Sequence, residues 1–312
     1  MRTHVINRLI EKAREDDRIV LLVGDLGFHV VEGFQNEFPN RFVNCGISEQ
    51  NMMAVAAGMA KEGDKVFVYS IGNFPTLRCL EQIRNDVCYH DADVNIIAVG
   101  GGFSYGSLGM THHTTEELAI LRALPNMNVY APADHFEATA VLDRMVKDSS
   151  PSYIRLARGA DSTFYNKPFH GDIHKIILFE ENECERFYDI TIISSGPILE
   201  EAIKTKQPLE QKGFKVRLYS CPSIKPLDIE SIEEIARTSQ FIVSVEEHNI
   251  IGGLGGAIAE VLSGMEKHAC LIRFGLKDTY SSEVGCREYL RSYYGIDAEH
   301  IVYVLLERMK KR

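Results

Sequence analysis

The chain alternates short β-branched runs with longer stretches in which apolar residues recur every three or four positions. Those two periods predict strands and amphipathic helices in regular succession, which signals an α/β architecture with mainly parallel sheets. Through the first half the pattern predicts helix 3–16, strand 18–23, helix 48–62, strand 65–70, helix 75–89 and strand 94–99. Helix 115–123, strand 127–131, helix 134–147 and strand 152–156 follow. A polar stretch carrying Gly159, Asp161, Ser162, Asn166 and Pro168 then runs to about Asp172 and reads as a linker. The alternation restarts with strand 189–194, helix 197–212, strand 215–219, helix 228–238, strand 241–245, helix 253–264, strand 269–274 and two terminal helices. At 312 residues the chain can bury two cores. The expectation is two doubly wound α/β domains, residues 1–165 and 173–312, with no internal repeat.

Composition narrows the function classes. No apolar run approaches the roughly 20 residues of a membrane span, so no membrane partner is expected. The first residues lack an apolar signal core before Glu11, which predicts a cytoplasmic location. A formal net charge of −10 disfavours nucleic acid as a partner. The seven cysteines (45, 79, 88, 184, 221, 270 and 286) are scattered without a Cys-x-x-Cys pair. They read as buried or free thiols, neither a disulfide framework nor a zinc site. Lys310, Lys311 and Arg312 form a basic tail that complements the C-terminus of the last helix.

The candidate chemistry begins at residues 45–58, Cys-Gly-Ile-Ser-Glu-Gln-Asn-Met-Met-Ala-Val-Ala-Ala-Gly. Ser48 is placed to cap a helix whose buried face is predicted to be Met52, Val55, Ala56 and Met59. Glu49 then sits in the first turn, where the helix dipole favours a carboxylate. Its flanks are small and nearly uncharged, so the carboxyl is expected to be partly dehydrated and suited to sharing a proton with a ligand nitrogen. The string Gly-Ile-Ser-Glu-Gln-Asn-Met resembles the segment of thiamin-diphosphate enzymes of the transketolase family that holds the cofactor's aminopyrimidine ring. The resemblance implies that Glu49 bonds the ring nitrogen remote from the thiazolium and so switches the cofactor on. It implies further that a pyrimidine-binding fold is followed by a transketolase C-terminal-like domain.

Other segments extend the resemblance. Phe74, in Gly-Asn-Phe-Pro ahead of Glu81-Gln82-Ile83-Arg84-Asn85, aligns with the aromatic on which the aminopyrimidine stacks. Asp25 ends a strand after Gly24; it reads either as a turn residue or as the family's Asp near the thiazolium. A glycine-rich loop, residues 100–113, ends in Thr111-His112-His113 and would let a ligand approach the backbone closely. Matched to the family's substrate loop, it puts His112 beside the donor's reacting carbonyl as a hydrogen-bond donor or proton shuttle. His113 is its neighbour among the candidate substrate contacts. Arg158 and Arg2 match positions that clamp a sugar phosphate, whereas the family's phosphate-side Ser and His appear here as His29 and Gly100. Ser107 and Leu108 replace the Glu-Asp typical of transketolases, and Leu108 cannot accept a sugar hydroxyl's hydrogen bond. The end group and sugar are therefore expected to depart from the ordinary pentose phosphates. The glycines at 252–256 lack a dinucleotide spacing; with residues 245–251 they resemble a structural segment of the family's C-terminal domain.

One family element is missing from this chain. Neither Gly-Asp-Gly nor Asn-Asn, the motif that holds the divalent metal for the diphosphate, occurs in the sequence. The resemblance covers the last two of transketolase's three domains. It implies a split enzyme in which a second, separate chain binds Mg²⁺ and the diphosphate, two copies of this chain form a dimer, and the assembly is α2β2. The leading expectation is transfer of a two-carbon ketol unit between sugars. The alternatives are the β subunit of a 2-oxo-acid dehydrogenase decarboxylase, a deoxyxylulose-phosphate-synthase-like carboligase, or a non-catalytic scaffold subunit.

Overall fold

The computed structural model describes residues 1–159, 162–179 and 186–310. Its strands are β1 (Ile19–Val23), β2 (Phe42–Asn44), β3 (Lys65–Ile71), β4 (Val94–Val99), β5 (Asn128–Tyr130), β6 (Ser152–Leu156), β7 (Ile177–Leu178), β8 (Tyr188–Ser195), β9 (Val216–Ser220), β10 (Ser223–Lys225), β11 (Ser239–Asn249) and β12 (Cys270–Leu276). They form two sheets. The first runs β10-β5-β6-β4-β3-β1-β2 and the second β12-β11-β8-β9-β7. Among these strands every pairing is parallel except β10 with β5 and β7 with β9, which are antiparallel. Strands β1, β4 and β6 are buried at every position. Helices therefore cover both faces of the sheet, which is why these strands read as continuous apolar runs.

The α/β alternation follows the sequence pattern, with differences that have physical reasons. The region 75–89 is not one α-helix. It divides into a 3₁₀ turn (Leu77–Cys79), an α turn (Leu80–Gln82) and a π-helical segment (Ile83–Cys88). A π turn still buries Ile83, Val87 and Cys88, so apolar spacing does not reveal the extra residue. Helix Glu32–Glu37 and strands β2, β7 and β10 are too short to show a period. Strand β11 continues past Val245 because Glu246, Glu247 and His248 are buried within it. Glu246 accepts from the amides of Leu254 and Gly255 at 2.7 and 2.9 Å, at the start of helix Leu254–Ser263. Burial nevertheless pushes its carboxyl up to about 7.

The two halves are not independent bodies. Strand β10, from the second half of the chain, completes the first sheet beside β5. One apolar cluster joins Met52, Met53, Val68 and Ile83 of the first half to Ile193, Ile232, Leu254 and Ile258 of the second. The predicted linker is pinned down as well. Asp134 accepts from the amides of Phe164 and Tyr165, and Tyr165 Oη donates to Glu137 at 2.6 Å. Six cysteines are free thiols, and Cys286 is exposed. Cys184, Asp161, Lys311 and Arg312 lie outside the described residues. Lys310 pairs with Glu307 at 2.7 Å. Among the described residues, no helix is long and apolar enough to cross a membrane.

Candidate active site

In the first sheet β1 and β3 are neighbours whose onward connections leave to opposite sides. Such a switch point opens a crevice beyond the C-terminal strand ends. Gly24-Asp25 leave β1 there, and Gly72-Asn73-Phe74 leave β3. Helix Glu49–Lys61, which follows β2, presents Glu49 as its first residue. The Glu49 side chain is only 2% exposed. Gly24 packs against it: a Cβ at residue 24 would stand 3.4 Å from both Glu49 Cγ and Ser70 Oγ. Ser48 occupies the N-cap position, but its side chain makes no capping bond. The buried face is also rotated from the expected one. Met52, Met53, Ala56 and Ala57 pack inward, while Val55 is 39% exposed.

The Glu49 carboxylate is answered by Arg78, whose Nη1 donates to Oε2 at 2.7 Å. The same guanidinium lies over Phe74, 4.5 Å from the ring centroid. Phe74 in turn meets His112 edge-on, with ring centroids 5.4 Å apart. Asn73 Nδ2 donates to the carbonyl of His113 at 2.8 Å, which ties the end of β3 to the loop carrying His112. Thr111 Oγ1 and His112 Nδ1 are 3.0 Å apart. The structure thus brings together Glu49, Phe74 and His112, which are scattered over 64 positions of sequence. Arg78 went unrecognised in the sequence. No local signal singles it out, because its partner Glu49 lies 29 residues away.

Arg2 and Arg158 converge on two tyrosines that sequence reasoning also missed. Arg158 stacks over Tyr105 with its Cζ 4.6 Å from the ring centroid. Arg2 lies near enough to Tyr69 and to Tyr105 to favour the ionised form of each. Burial dominates at both phenols and pushes Tyr69 up to about 12. Tyr105 also faces His112, with centroids 6.1 Å apart. The arginine pair therefore borders the His112 end of the site.

The remaining candidates are placed differently. Asp25 is exposed, in the left-handed region at φ 55°, and exchanges two hydrogen bonds with Asn44 at 3.1 and 3.0 Å. Asn44 Oδ1 also accepts from the Gly46 amide, so Asp25 braces the turn that leads into Glu49. His29 is exposed in the loop after β1, with its amide donating to Glu32. His113 is turned inward. It is 1% exposed, with Nδ1 at 2.6 Å from Ser281 Oγ and Nε2 at 3.0 Å from the Gly106 carbonyl. The carbonyl can only accept, so Nε2 carries the proton and Nδ1 accepts from Ser281. Burial lowers its basicity. With both nitrogens engaged by the chain itself, His113 anchors the loop.

The glycine run also differs from expectation. A Cβ at Gly100 would stand 2.3 Å from the Tyr105 ring, one at Gly101 2.3 Å from Arg155 Nε, and one at Gly102 2.2 Å from Glu247 Oε1. These glycines admit the chain's own side chains, not a ligand. Glu247 then accepts the Phe103 amide at 2.7 Å, fastening this loop to the second domain.

With this geometry in hand, comparison with known proteins is specific. Residues 1–161 match the family described as transketolase, pyrimidine binding domain, and residues 184–301 match transketolase, C-terminal domain. The chain is 36% identical over 306 residues to the transketolase C-terminal section of Methanocaldococcus jannaschii, covering 97% of this chain and 94% of that one. It is also 36% identical over 304 residues to one of the subunits of the apulose-4-phosphate transketolase of Phocaeicola vulgatus, covering 97% and 95%. Among solved structures, a split-gene transketolase described as an inactive β4 tetramer superposes with a TM-score of 0.88 at 32% identity, covering 98% of this chain and 97% of that one. The chain belongs to the transketolase family, as a pyrimidine-binding domain joined to a transketolase C-terminal domain.

Proposed function

We propose that this chain is one subunit of a two-component, thiamin-diphosphate-dependent transketolase that moves a two-carbon ketol unit between sugars, one of them carrying an anionic end group. The observation that carries this reading is the buried Glu49 carboxylate facing a slot bounded by Phe74, with His112 at its edge. The residues fit the cofactor's aminopyrimidine. A flat group bearing N–H donors already lies between the carboxylate and the aromatic face, in the shape of the Arg78 guanidinium. Ser70 Oγ, which like Glu49 packs against Gly24, is buried and has no hydrogen-bond partner.

When bound, the cofactor supplies the carbon nucleophile and electron sink that break and remake the carbon–carbon bond. The protein's share is protonic and positional. Glu49 holds a proton against the pyrimidine nitrogen in a site nearly closed to water. Phe74 supports the ring by stacking, worth about 1 kcal/mol beyond area burial. His112 is placed to move a proton at the donor's carbonyl oxygen, with Thr111 Oγ1 orienting its ring. Arg158 and Arg2 are the candidates for the anionic end of the sugar. The Phocaeicola relative is named for apulose 4-phosphate, and a sugar phosphate outside the ordinary pentose set suits the non-polar Leu108, which is 51% exposed here. The proposed assembly is α2β2. In it a diphosphate- and Mg²⁺-binding subunit meets this chain at the slot, and Val55 and Ile47, both exposed, are the apolar residues proposed for contact with a second copy.

Two measurements test this reading. Calorimetry on the purified chain should show no micromolar binding of thiamin diphosphate with Mg²⁺, whereas the chain mixed with its diphosphate-binding subunit should show it. Micromolar binding by the chain alone would overturn the two-component reading. The reconstituted pair should use xylulose 5-phosphate with a kcat/KM about tenfold or more below that of an ordinary transketolase, because Leu108 leaves a sugar hydroxyl unanswered. Parity between the two enzymes would refute the specificity argument.

A further inference from the structure

Arg78 meets two requirements at once. Its Nη1 satisfies the Glu49 carboxylate at 2.7 Å, and its face lies 4.5 Å from the centre of Phe74. These are the edge and the face that a flat nitrogen heterocycle would use. We propose that the slot between Glu49 and Phe74 is a recognition site for planar, protonated amidine-type groups, guanidinium and aminopyrimidinium alike, and that Arg78 fills it in cis until such a ligand displaces it. The proposal rests on the thiamin-diphosphate reading for its physiological ligand, but not for the chemistry of the slot.

Three observations support it. A guanidinium is planar, weakly hydrated and bears N–H donors on its rim, so it can stack on an aromatic while bonding a carboxylate edge-on. Glu49 is almost fully buried, and a buried carboxylate with no partner is costly, so the empty slot needs a cation. Arg78, by contrast, is 45% exposed and sits on a short 3₁₀ turn, so it can leave by side-chain rotation alone. Contrast Arg291, 1% exposed and locked to Glu247 at 2.6 Å. The arrangement keeps Glu49 compensated in the unliganded chain. It also lowers the affinity of any incoming ligand by the fraction of time Arg78 spends in the slot.

The test uses the full-length chain and 4-aminopyrimidine as probe, with dissociation constants from saturation-transfer NMR. Arg78→Ala and Arg78→Met should each bind the probe about tenfold or more tightly than the unmodified chain. Methionine keeps an unbranched side chain at residue 78 while removing the guanidinium, and the melting curve of each variant verifies folding. Methylguanidinium should displace the probe, and adding Glu49→Gln should abolish the gain. Equal affinities in all three chains, absence of binding in folded variants, or a probe that methylguanidinium fails to displace would each overturn the proposal. Thiamin diphosphate binding to the two-subunit complex is read separately. If Glu49→Gln weakens it, the cofactor reading stands even where the slot proposal has failed; if not, the cofactor reading falls.

Discussion

Replacing Glu49 with Gln is expected to lower kcat of the reconstituted two-subunit complex by about 10²–10⁴-fold, the range for losing a positioned proton-sharing group. The amide keeps the size of the side chain and can still bond, but it cannot hold the proton on the cofactor's pyrimidine nitrogen. The fold should tolerate the change. Glu49's partner, Arg78, is 45% exposed and can return to water, so no buried cation is left behind. The check is turnover of the complex alongside thermal unfolding of the isolated chain. A variant with undiminished turnover would sink the catalytic reading and favour a scaffold role. One that failed to fold would show that the Glu49–Arg78 pair holds the structure together.

The largest expected stability effect lies away from the slot, at Glu247. Its carboxylate takes the Phe103 amide from the first domain at 2.7 Å and the guanidinium Nε atoms of Arg287 and Arg291 at 3.0 and 2.6 Å. Burial alone would raise its pKa. The two arginines and the amide outweigh that and hold it at about 2. Glu247→Gln leaves the buried Arg291 without its closest counter-charge and should cost about 3–5 kcal/mol. The pH dependence follows from the sign of the shift. An unfolded glutamate titrates near 4.3, so the Glu247 contribution is complete above that pH and is lost as pH falls towards 2. The gap between parent and variant in urea unfolding should therefore be widest near neutrality and narrow between about pH 4 and 2. A gap below about 1 kcal/mol at pH 7 would place this cluster among the weak ion pairs. Because the same carboxylate fastens Phe103, two residues before Tyr105, the variant should also loosen the loop that carries His112.

The α/β alternation is legible in the sequence because a parallel strand covered on both faces must be apolar throughout, and a covering helix must be apolar every third or fourth residue. Glu49, Phe74 and His112 are legible through their immediate neighbours, since a helix mouth, an aromatic before proline and a Thr-His pair are local features. Arg78 and His113 show the limit. Nothing local tells whether an arginine 29 residues away will answer Glu49, or whether the second of two adjacent histidines will turn inward to Ser281, 168 residues away.

The sequence by itself therefore determined the fold class, the main α/β alternation, the family and the candidate residues that cluster in short segments. Tertiary structure alone decided that the glycines at 100–102 make room for Tyr105, Arg155 and Glu247, that β10 crosses into the first sheet, and that one core joins both halves. The physical reason is common to all of these. Periodicity reports which face of an element is buried, but which distant side chain fills a given space, or pairs a given charge, is settled only when the elements pack.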